Sequence, residues 1–254
     1  MNPSASGQRN ALVTGGGGGI GSAIVRALAA AGGSVIVADL DLGKAAEVAK
    51  GFDRAGPRVG AVQIDVTDPE SVRLAVAEAT DYLGTIDILV NCAGWELARE
   101  FVETDDEYVY RNLEINFVGM TRVTRAVLPP MTERGWGRIV SIASEAGRIG
   151  APRSSIYAAA KGGMIAFSKS IAAEVARKGV TVNVVSPGPV DTPLLSASQG
   201  QYWEKVEGFI TRAIPRGRVG VPDDVAAAVA YFTSEAADYV TGQTLSISGG
   251  LTML

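Results

Sequence analysis

Tyr157 and Lys161, in the run YAAAK, stand one helical turn apart, so a helix carrying them presents a phenol and an ammonium on one face. A free phenol titrates near ~10 and is a weak base at neutral pH, but a neighbouring cation favours its ionised form. Such a pair can pass a proton to or from an oxygen of a bound molecule. Ser144 closes the apolar run RIVSIAS and offers a hydroxyl able to hold that same oxygen. The chain contains no histidine, which removes histidine-based triads and the usual zinc sets and leaves acid and base work to Tyr, Lys, Asp, Glu or a relayed water. A lone Y-x-x-x-K is common on exposed helix faces, so its meaning depends on its surroundings. The acidic run from Thr104 to Glu107 reads as a capped helix start rather than a magnesium site.

The stretch TGGGGGIGSAI, from Thr14 to Ile24, places five consecutive glycines between an apolar run and a helix-periodic one. Side chains in a turn of this kind would keep a pyrophosphate away from backbone amides and from the positive end of the following helix, whereas glycines let it approach. Gly16, Gly18 and Gly21 satisfy G-x-G-x-x-G, a cheap match in so rich a run. Asp39 strengthens it by ending the next apolar run, where a carboxylate accepts hydrogen bonds from the hydroxyls of an adenosine ribose and repels a 2'-phosphate. Neither Gly18 nor Leu40 supplies a compensating cation, so NAD is expected in preference to NADP.

The elements that must position these groups alternate along the chain. ALVTG, SVIVADL, VGAVQID, IDILVNCAG, GRIVSIAS, VTVNVVSPG and QTLSISGG read as seven strands, with helix-length segments between most of them. Alternation over a whole chain predicts an α/β fold, a doubly wound sheet of seven parallel strands flanked by helices, because parallel strands need crossover connections. The carboxyl ends of such strands form one ligand crevice, and the polar residues ending these runs converge there. With 254 residues, 47% of them hydrophobic, and no linker-like stretch, a single domain is expected over 1–254, led by a flexible segment over 1–9. The net charge of −4 with scattered basic residues predicts no nucleic-acid or membrane partner. A start without an apolar core, no run long enough to span a membrane and one cysteine, Cys92, predict a soluble cytoplasmic protein.

Taken together and in order, TGGGGGIG, Asp39, the DV of Asp65 and Val66, NCAG, Asn116 in EINFVG, Ser144, YAAAK and PGPVDTP resemble the short-chain dehydrogenase/reductase family from about residue 10 to the C-terminus. The resemblance implies a Rossmann-type domain and an NAD-dependent oxidoreductase interconverting a secondary alcohol and a ketone. It implies that Thr14, Gly15, Gly19, Ile20 and Gly21 shape the cofactor turn, that Asp65 and Val66 flank the adenine, and that Asn91, Ala93 and Gly94 lie beside the ribose. Pro187, Gly188, Val190 and Thr192 would meet the nicotinamide end. Ser144 would hold the substrate oxygen and Tyr157 exchange its proton. Lys161 would hold the nicotinamide ribose and lower the tyrosine pKa, and Asn116 would support a water leading to solvent. Family habit also implies a homotetramer. NCAG carries a cysteine where the family usually has a second asparagine.

Residues 193–215 occupy the family's substrate-loop position, and Leu194, Leu195, Tyr202, Trp203 and Phe209 suggest a helical lid over a ring or acyl group, with core or subunit packing as the alternative. Trp95 would form the opposite wall. Glu145, beside Ser144, is expected to face solvent, with the substrate as the alternative. Arg148 and Arg153 are candidates for a substrate carboxylate or CoA phosphate, although exposure is the commoner fate of arginine. NCAGWE, GPVDTPLL and RVGVPDDVA are most similar to the branch containing 2-hydroxycyclohexanecarboxyl-CoA dehydrogenase, implying a cyclic or acyl-linked small-molecule substrate. A 3-oxoacyl carrier-protein reductase, usually NADPH-linked, is the nearest rival. A dinucleotide sensor without chemistry is the rival of another class.

Overall fold

Seven apolar runs become seven parallel strands in the computed structural model, which describes residues 9–52, 58–199 and 203–254. They are β1 (Asn10–Thr14), β2 (Ser34–Asp39), β3 (Val59–Gln63), β4 (Ile88–Asn91), β5 (Gly137–Ile142), β6 (Val180–Pro187) and β7 (Thr244–Ile247). The order across the sheet is β3-β2-β1-β4-β5-β6-β7, so the chain changes direction between β1 and β4 and opens a crevice above their carboxyl ends. Leu12 pairs with Leu89 and Thr14 with Asn91 across that switch point.

The strands are buried on both faces, which is why they read as continuous apolar runs instead of alternating ones. Val13, Val35, Val37 and Val140 face α1 (Gly19–Ala30) and α10 (Pro222–Thr233), meeting Ile24, Leu28, Val225 and Phe232. Leu12, Ile36, Leu89 and Ile139 face the other way, onto α3 (Pro69–Leu83), α5 (Gly119–Arg134) and α7 (Ser155–Val175). Local chemistry sets the helix starts. Asp41 accepts from Lys44 N at the head of α2 (Leu42–Lys50), Asp68 from Glu70 N before Pro69, and Asp105 from Tyr108 N at the head of α4 (Asp106–Leu113). The acidic run over 104–107 is thus a helix cap. Between β6 and α10 the chain forms α8 (Pro193–Gln199) and α9 (Trp203–Ala213), which supplies the helical character expected for the lid.

Most of the expected lead, residues 1–8, lies outside the described residues. Arg9 is held, its guanidinium 2.8 Å from Glu235 and 3.7 Å from the centre of the Trp136 ring. Among the described residues no helix is long and apolar enough to cross a membrane.

The turns beneath the sheet are as tight as the crevice above it. Gly179 enters β6 with a φ of +71, and a Cβ there would overlap the carbonyl oxygen of Gly135, the left-handed residue that ends α5. Gly32 has a φ of +89 but open space around it. Gly179→Ala is expected to cost on the order of 2–3 kcal/mol, clearly more than Gly32→Ala, because it adds overlap to backbone strain. Denaturant unfolding of the two variants measures the difference.

Candidate active site

The glycine turn runs from the end of β1 to the start of α1, as its composition predicts. A Cβ on Gly15 would sit 2.8 Å from the Ala93 backbone, one on Gly19 would sit 2.9 Å from Thr192, and one on Gly21 would overlap the Gly15 carbonyl. Gly18 caps α1 with no side-chain bond, and the first turn carries no acid. An uncapped helix start behind a side-chain-free turn suits an anionic diphosphate, so the residues fit the dinucleotide that the sequence suggests. Ile20 packs partly on the core behind this turn. Asp39 accepts from Gly17 N at 3.0 Å and from Asp41 N at 3.1 Å, which ties the carboxylate to the turn and leaves lone pairs for a ribose. A cation also stands here, although neither Gly18 nor Leu40 supplies one. Lys44 lies where a Cβ on Gly17 would meet its own Cβ at 2.8 Å, with Nζ 3.9 Å from Asp41.

Other residues implied for the cofactor divide by where their side chains go. Asp65 binds the backbone and hydroxyl of Thr67 and remains half-buried beside the crevice. Val66 is buried, and a Cβ on Gly119 of α5 would meet it at 2.7 Å. Thr14 is buried, its hydroxyl receiving the amides of Cys92 and Ala93 and donating to Val90 O. Asn91 departs from expectation. Its amide turns into the core toward Thr124 of α5 and Ser141 of the neighbouring β5, whose hydroxyls are its polar partners, and only its backbone remains at the rim. Gly94 lies over the site, where a Cβ would meet Asn116 Oδ1 at 3.1 Å and Lys161 Nζ at 3.6 Å. Gly188 donates to Ile247 O, Val190 is in the core behind Pro187, and Thr192 receives Leu195 N at the head of α8.

Tyr157 and Lys161 share a face of α7, and the Ser144 hydroxyl, which receives Ala146 N at 3.2 Å, lies close enough to the phenol to lower its pKa. Lys161 is buried and donates to Ile142 O at 2.8 Å, at the very end of β5. The expected lowering of the tyrosine pKa by this lysine is not found. Burial pushes Tyr157 well above its ordinary value, the Glu96 carboxylate pushes it further, and the Ser144 hydroxyl draws it part of the way back. The lysine ammonium is turned to the strand carbonyl, with Nζ 5.6 Å from the phenol ring centre. Burial holds Lys161 itself down at about 8, against the pull of Cys92 and Glu96. The Cys92 thiol is pushed up to about 12, chiefly by burial, and is a packing residue.

Asn116 lies in a π-turn (Glu114–Val118) joining α4 to α5, and its side chain is fully buried. Its amide donates to Trp95 O at 2.7 Å and Asn112 O at 3.0 Å, while its oxygen receives Trp95 N at 3.1 Å. The carboxamide clamps the segment after β4, so its donors are spent where the family resemblance implied a water site.

The clamp holds a residue that no motif singled out. Glu96 follows Trp95, and burial raises the pKa of its carboxyl while Ser154 and Lys161 draw it back. Ser154 stands at the N-cap of α7 without a side-chain capping bond. An acid flanked by apolar residues just past a strand-end glycine was the available signal.

The substrate candidates scatter. The Trp95 ring packs on Tyr108 at 5.7 Å with the Arg111 guanidinium 4.5 Å from its centre, so α4 has taken it. Leu194 and Phe209 are exposed and Leu195 half-buried, while Tyr202 and the side chain of Trp203 lie outside the described residues. Glu145 does not face solvent: it is 3% exposed and bonded to Ser246 and Thr252, with Arg148 at 3.7 Å. Arg148 bonds Ser246 and the Leu254 carbonyl, since a buried carboxylate needs a neighbouring cation and the C-terminal segment needs a donor. Arg153, at a φ of +64, bonds Ala98 O and lies 3.7 Å from Glu100, which braces the segment around Glu96. A cavity of about 410 Å³ beside Arg216, Gly249 and Thr252 belongs to this C-terminal region, away from Tyr157.

Known proteins are similar to this chain over nearly its whole length. A family model described as enoyl-(acyl carrier protein) reductase matches residues 16–252. Nodulation protein G of Azospirillum brasilense is 42% identical over 96% of this chain and 98% of its own length. The 3-oxoacyl-[acyl-carrier-protein] reductase FabG of Escherichia coli is 37% identical over 96% of this chain and 97% of its own. An actinorhodin polyketide ketoreductase solved with NADPH superposes with a TM-score of 0.92 at 36% identity, covering 96% of this chain and 97% of that one.

Lys161 offers a direct check on the burial argument. Between its folded value of about 8 and the ~10.4 of an exposed lysine, the unfolded chain binds a proton the folded chain lacks, so this group's contribution to stability rises with pH through that window. Below it the burial cost is felt in full. Lys161→Met is therefore expected to be stabilised relative to the wild type most at neutral pH, with the Tm difference shrinking toward pH ~10. Thermal unfolding at both ends of the window measures this, and a difference that grows with pH would remove burial as the cause.

Proposed function

The chain belongs to the short-chain dehydrogenase/reductase family, and from that premise we propose an NAD-dependent oxidoreductase that interconverts a secondary alcohol and its ketone on a cyclic or acyl-linked substrate. The observation that carries the reading is the Ser144–Tyr157–Lys161 group at the carboxyl rim, with the serine and tyrosine half-buried and the lysine buried, facing an uncapped glycine turn across one crevice. A nicotinamide dinucleotide bound by the turn, Asp39 and the 187–192 segment supplies the hydride acceptor or donor.

The protein's own residues orient the substrate and move the proton. Ser144 holds the substrate oxygen and Tyr157 exchanges a proton with it through the phenol oxygen. Burial and Glu96 keep that phenol protonated, the form that donates to a ketone. Lys161, fixed to β5 through Ile142 O, places its charge under the site. Asn116 fixes Gly94 and Trp95 over it.

The preference for NAD rests on Asp39, whose carboxylate is anchored to the turn and opposes a second phosphate there. A second reading, an NADPH-linked 3-oxoacyl reductase, is favoured by Lys44 beside Gly17 and by the relatives with that name and that nucleotide. A homotetramer and a cytoplasmic setting belong to our reading too. Leu245, Met253 and Leu254 are exposed at the C-terminal edge of the sheet and offer apolar surface to a second copy. Light scattering is expected to give four times the chain mass, and a monomer would remove that part.

Following reduced-nucleotide absorbance over a panel of cyclic, aryl, open-chain and acyl-CoA alcohols and ketones tests the chemistry. NAD(H) is expected to exceed NADP(H) in kcat/KM by at least about tenfold, and the reverse order would favour the second reading. Tyr157→Phe is expected to lower kcat by about a hundredfold or more while changing the Kd for NAD less than about threefold. Full turnover by that variant overturns the mechanism, and wild-type silence despite NAD binding would leave a dinucleotide sensor.

A further inference from the structure

We propose that Glu114 and Arg122 are positioning residues for the reaction: their ion pair holds the π-turn in its wide register and so keeps the Asn116 carboxamide clamped on the segment over the site. This deepens the oxidoreductase reading above and rests on it for the effect on turnover.

Residue spacing singles out the pair. An α-helix turns by about 100° per residue, so residues seven apart share a face, while residues eight apart stand about 80° out of line. Glu114 and Arg122 are eight apart, yet Glu114 Oε2 lies 2.7 Å from Arg122 Nη1. The π-turn resolves the mismatch. Gly119 N donates to Glu114 O, five residues back instead of four, and the extra residue lets positions 114 and 122 behave as a pair seven apart. The contact therefore belongs to the π register. Tightening the turn to α would rotate its two sides by about 100° relative to each other and draw the pair out of line.

Neighbouring contacts decide which side would move. Gly119 lies so close to Val66 that a Cβ there would meet the valine side chain at 2.7 Å, which leaves α5 no room to rotate. Arg122 Nη1 also donates to Val66 O at 3.3 Å and pins the same helix to the segment after β3. The rotation would fall on the side of Asn116. That carboxamide donates to Trp95 O at 2.7 Å and receives Trp95 N at 3.1 Å, and both bonds need its present orientation. Exposed ion pairs contribute little, because two free side chains must be ordered to form them. Arg122 is not free in this sense: its side chain is 18% exposed and already bound to Val66 O, so only Glu114 is left to order.

The clamp serves the rim above Lys161. A Cβ on Gly94 would meet Asn116 Oδ1 at 3.1 Å and Lys161 Nζ at 3.6 Å, so the backbone that Asn116 holds lies directly over the lysine. A relaxed turn would release that backbone, and a displacement of about 1 Å near reacting groups is enough to cost turnover.

Hydrogen exchange on the full-length protein, read by mass spectrometry, tests the clasp without turnover. The variants are Arg122→Met, Glu114→Gln, the two combined, and Arg122→Lys. Arg122→Met is expected to speed exchange in peptides spanning Trp95 and Gly119 by at least about tenfold, with peptides spanning Leu12 and Val182 changed less than about threefold. Glu114→Gln is expected to act in the same peptides but less, since the bond to Val66 O remains. The double variant is expected to stay within about twofold of Arg122→Met, the non-additivity of one shared contact. Arg122→Lys, which keeps the charge, is expected to recover part of the protection. Unchanged exchange at Trp95 and Gly119 overturns the proposal, and so does equal acceleration everywhere, the result of a merely structural loss.

Turnover with NAD over the panel of alcohols reads the consequence. The kcat is expected to fall at least about fivefold in Arg122→Met and to follow the order of exchange across the variants. Fast local exchange with undiminished kcat overturns the positioning role. Should the wild type oxidise no alcohol, the oxidoreductase reading alone falls, and exchange still decides whether the pair holds the clamp. Glu114→Gln answers the same question should Arg122→Met fail to fold.

Discussion

One hydroxyl locks the two strand ends at the centre of the sheet. Thr14 Oγ1 receives the amides of Cys92 and Ala93 and donates to Val90 O, so the end of β1 and the end of β4 cannot part. Gly15, at a φ of +65, then passes so close to Ala93 that no side chain fits between them. The glycine turn, the crevice and the segment from Cys92 to Glu100 all take their positions from this junction. Parallel order makes the junction useful, because the polar strand ends of a sheet buried on both faces open together on one side.

Above the junction, burial sets the chemistry more than pairing does. The phenol of Tyr157, the ammonium of Lys161, the carboxyl of Glu96 and the thiol of Cys92 are all displaced toward their neutral forms, with desolvation the largest cause in each case. Their mutual interactions act as corrections: Glu96 raises Tyr157, while Ser144 lowers it. A dry site of this kind favours a protonated tyrosine ready to donate, and it leaves the binding of charged or polar partners to restore ionised forms.

A second polar cluster works from the far side of Ser144. Glu145 reaches Ser246 of β7 and Thr252, and Arg148 reaches Ser246 and the Leu254 carbonyl, so the end of β5 and the C-terminal segment share one buried network. Glu145 N also donates to Pro187 O, joining the loop after Ser144 to the end of β6. The serine therefore sits on a loop braced from two neighbouring strands. Such bracing is how a hydroxyl keeps one orientation at a strand end.

What the sequence determined by itself was the scaffold and the reacting side chains. Seven β-branched runs separated by helix-length segments leave little but a covered parallel sheet, and the glycine run, Asp39, Ser144 and YAAAK announce themselves through residue type and short spacing. Those signals are local, because a turn without Cβ atoms or a pair one helical turn apart depends on neighbours in the chain. Tertiary structure alone decided the rest. Asn91 turned inward to Thr124, Glu145 to Thr252 and Trp95 to Tyr108 across separations no local pattern encodes. Glu96 came into the site only because Asn116, twenty residues on in another element, clamps the peptide before it. The direction of the Tyr157 pKa was likewise a matter of packing: a sequence shows that a lysine is one turn away, but the depth of burial and the carbonyl that claims the ammonium exist only once the strands and helices have closed around them.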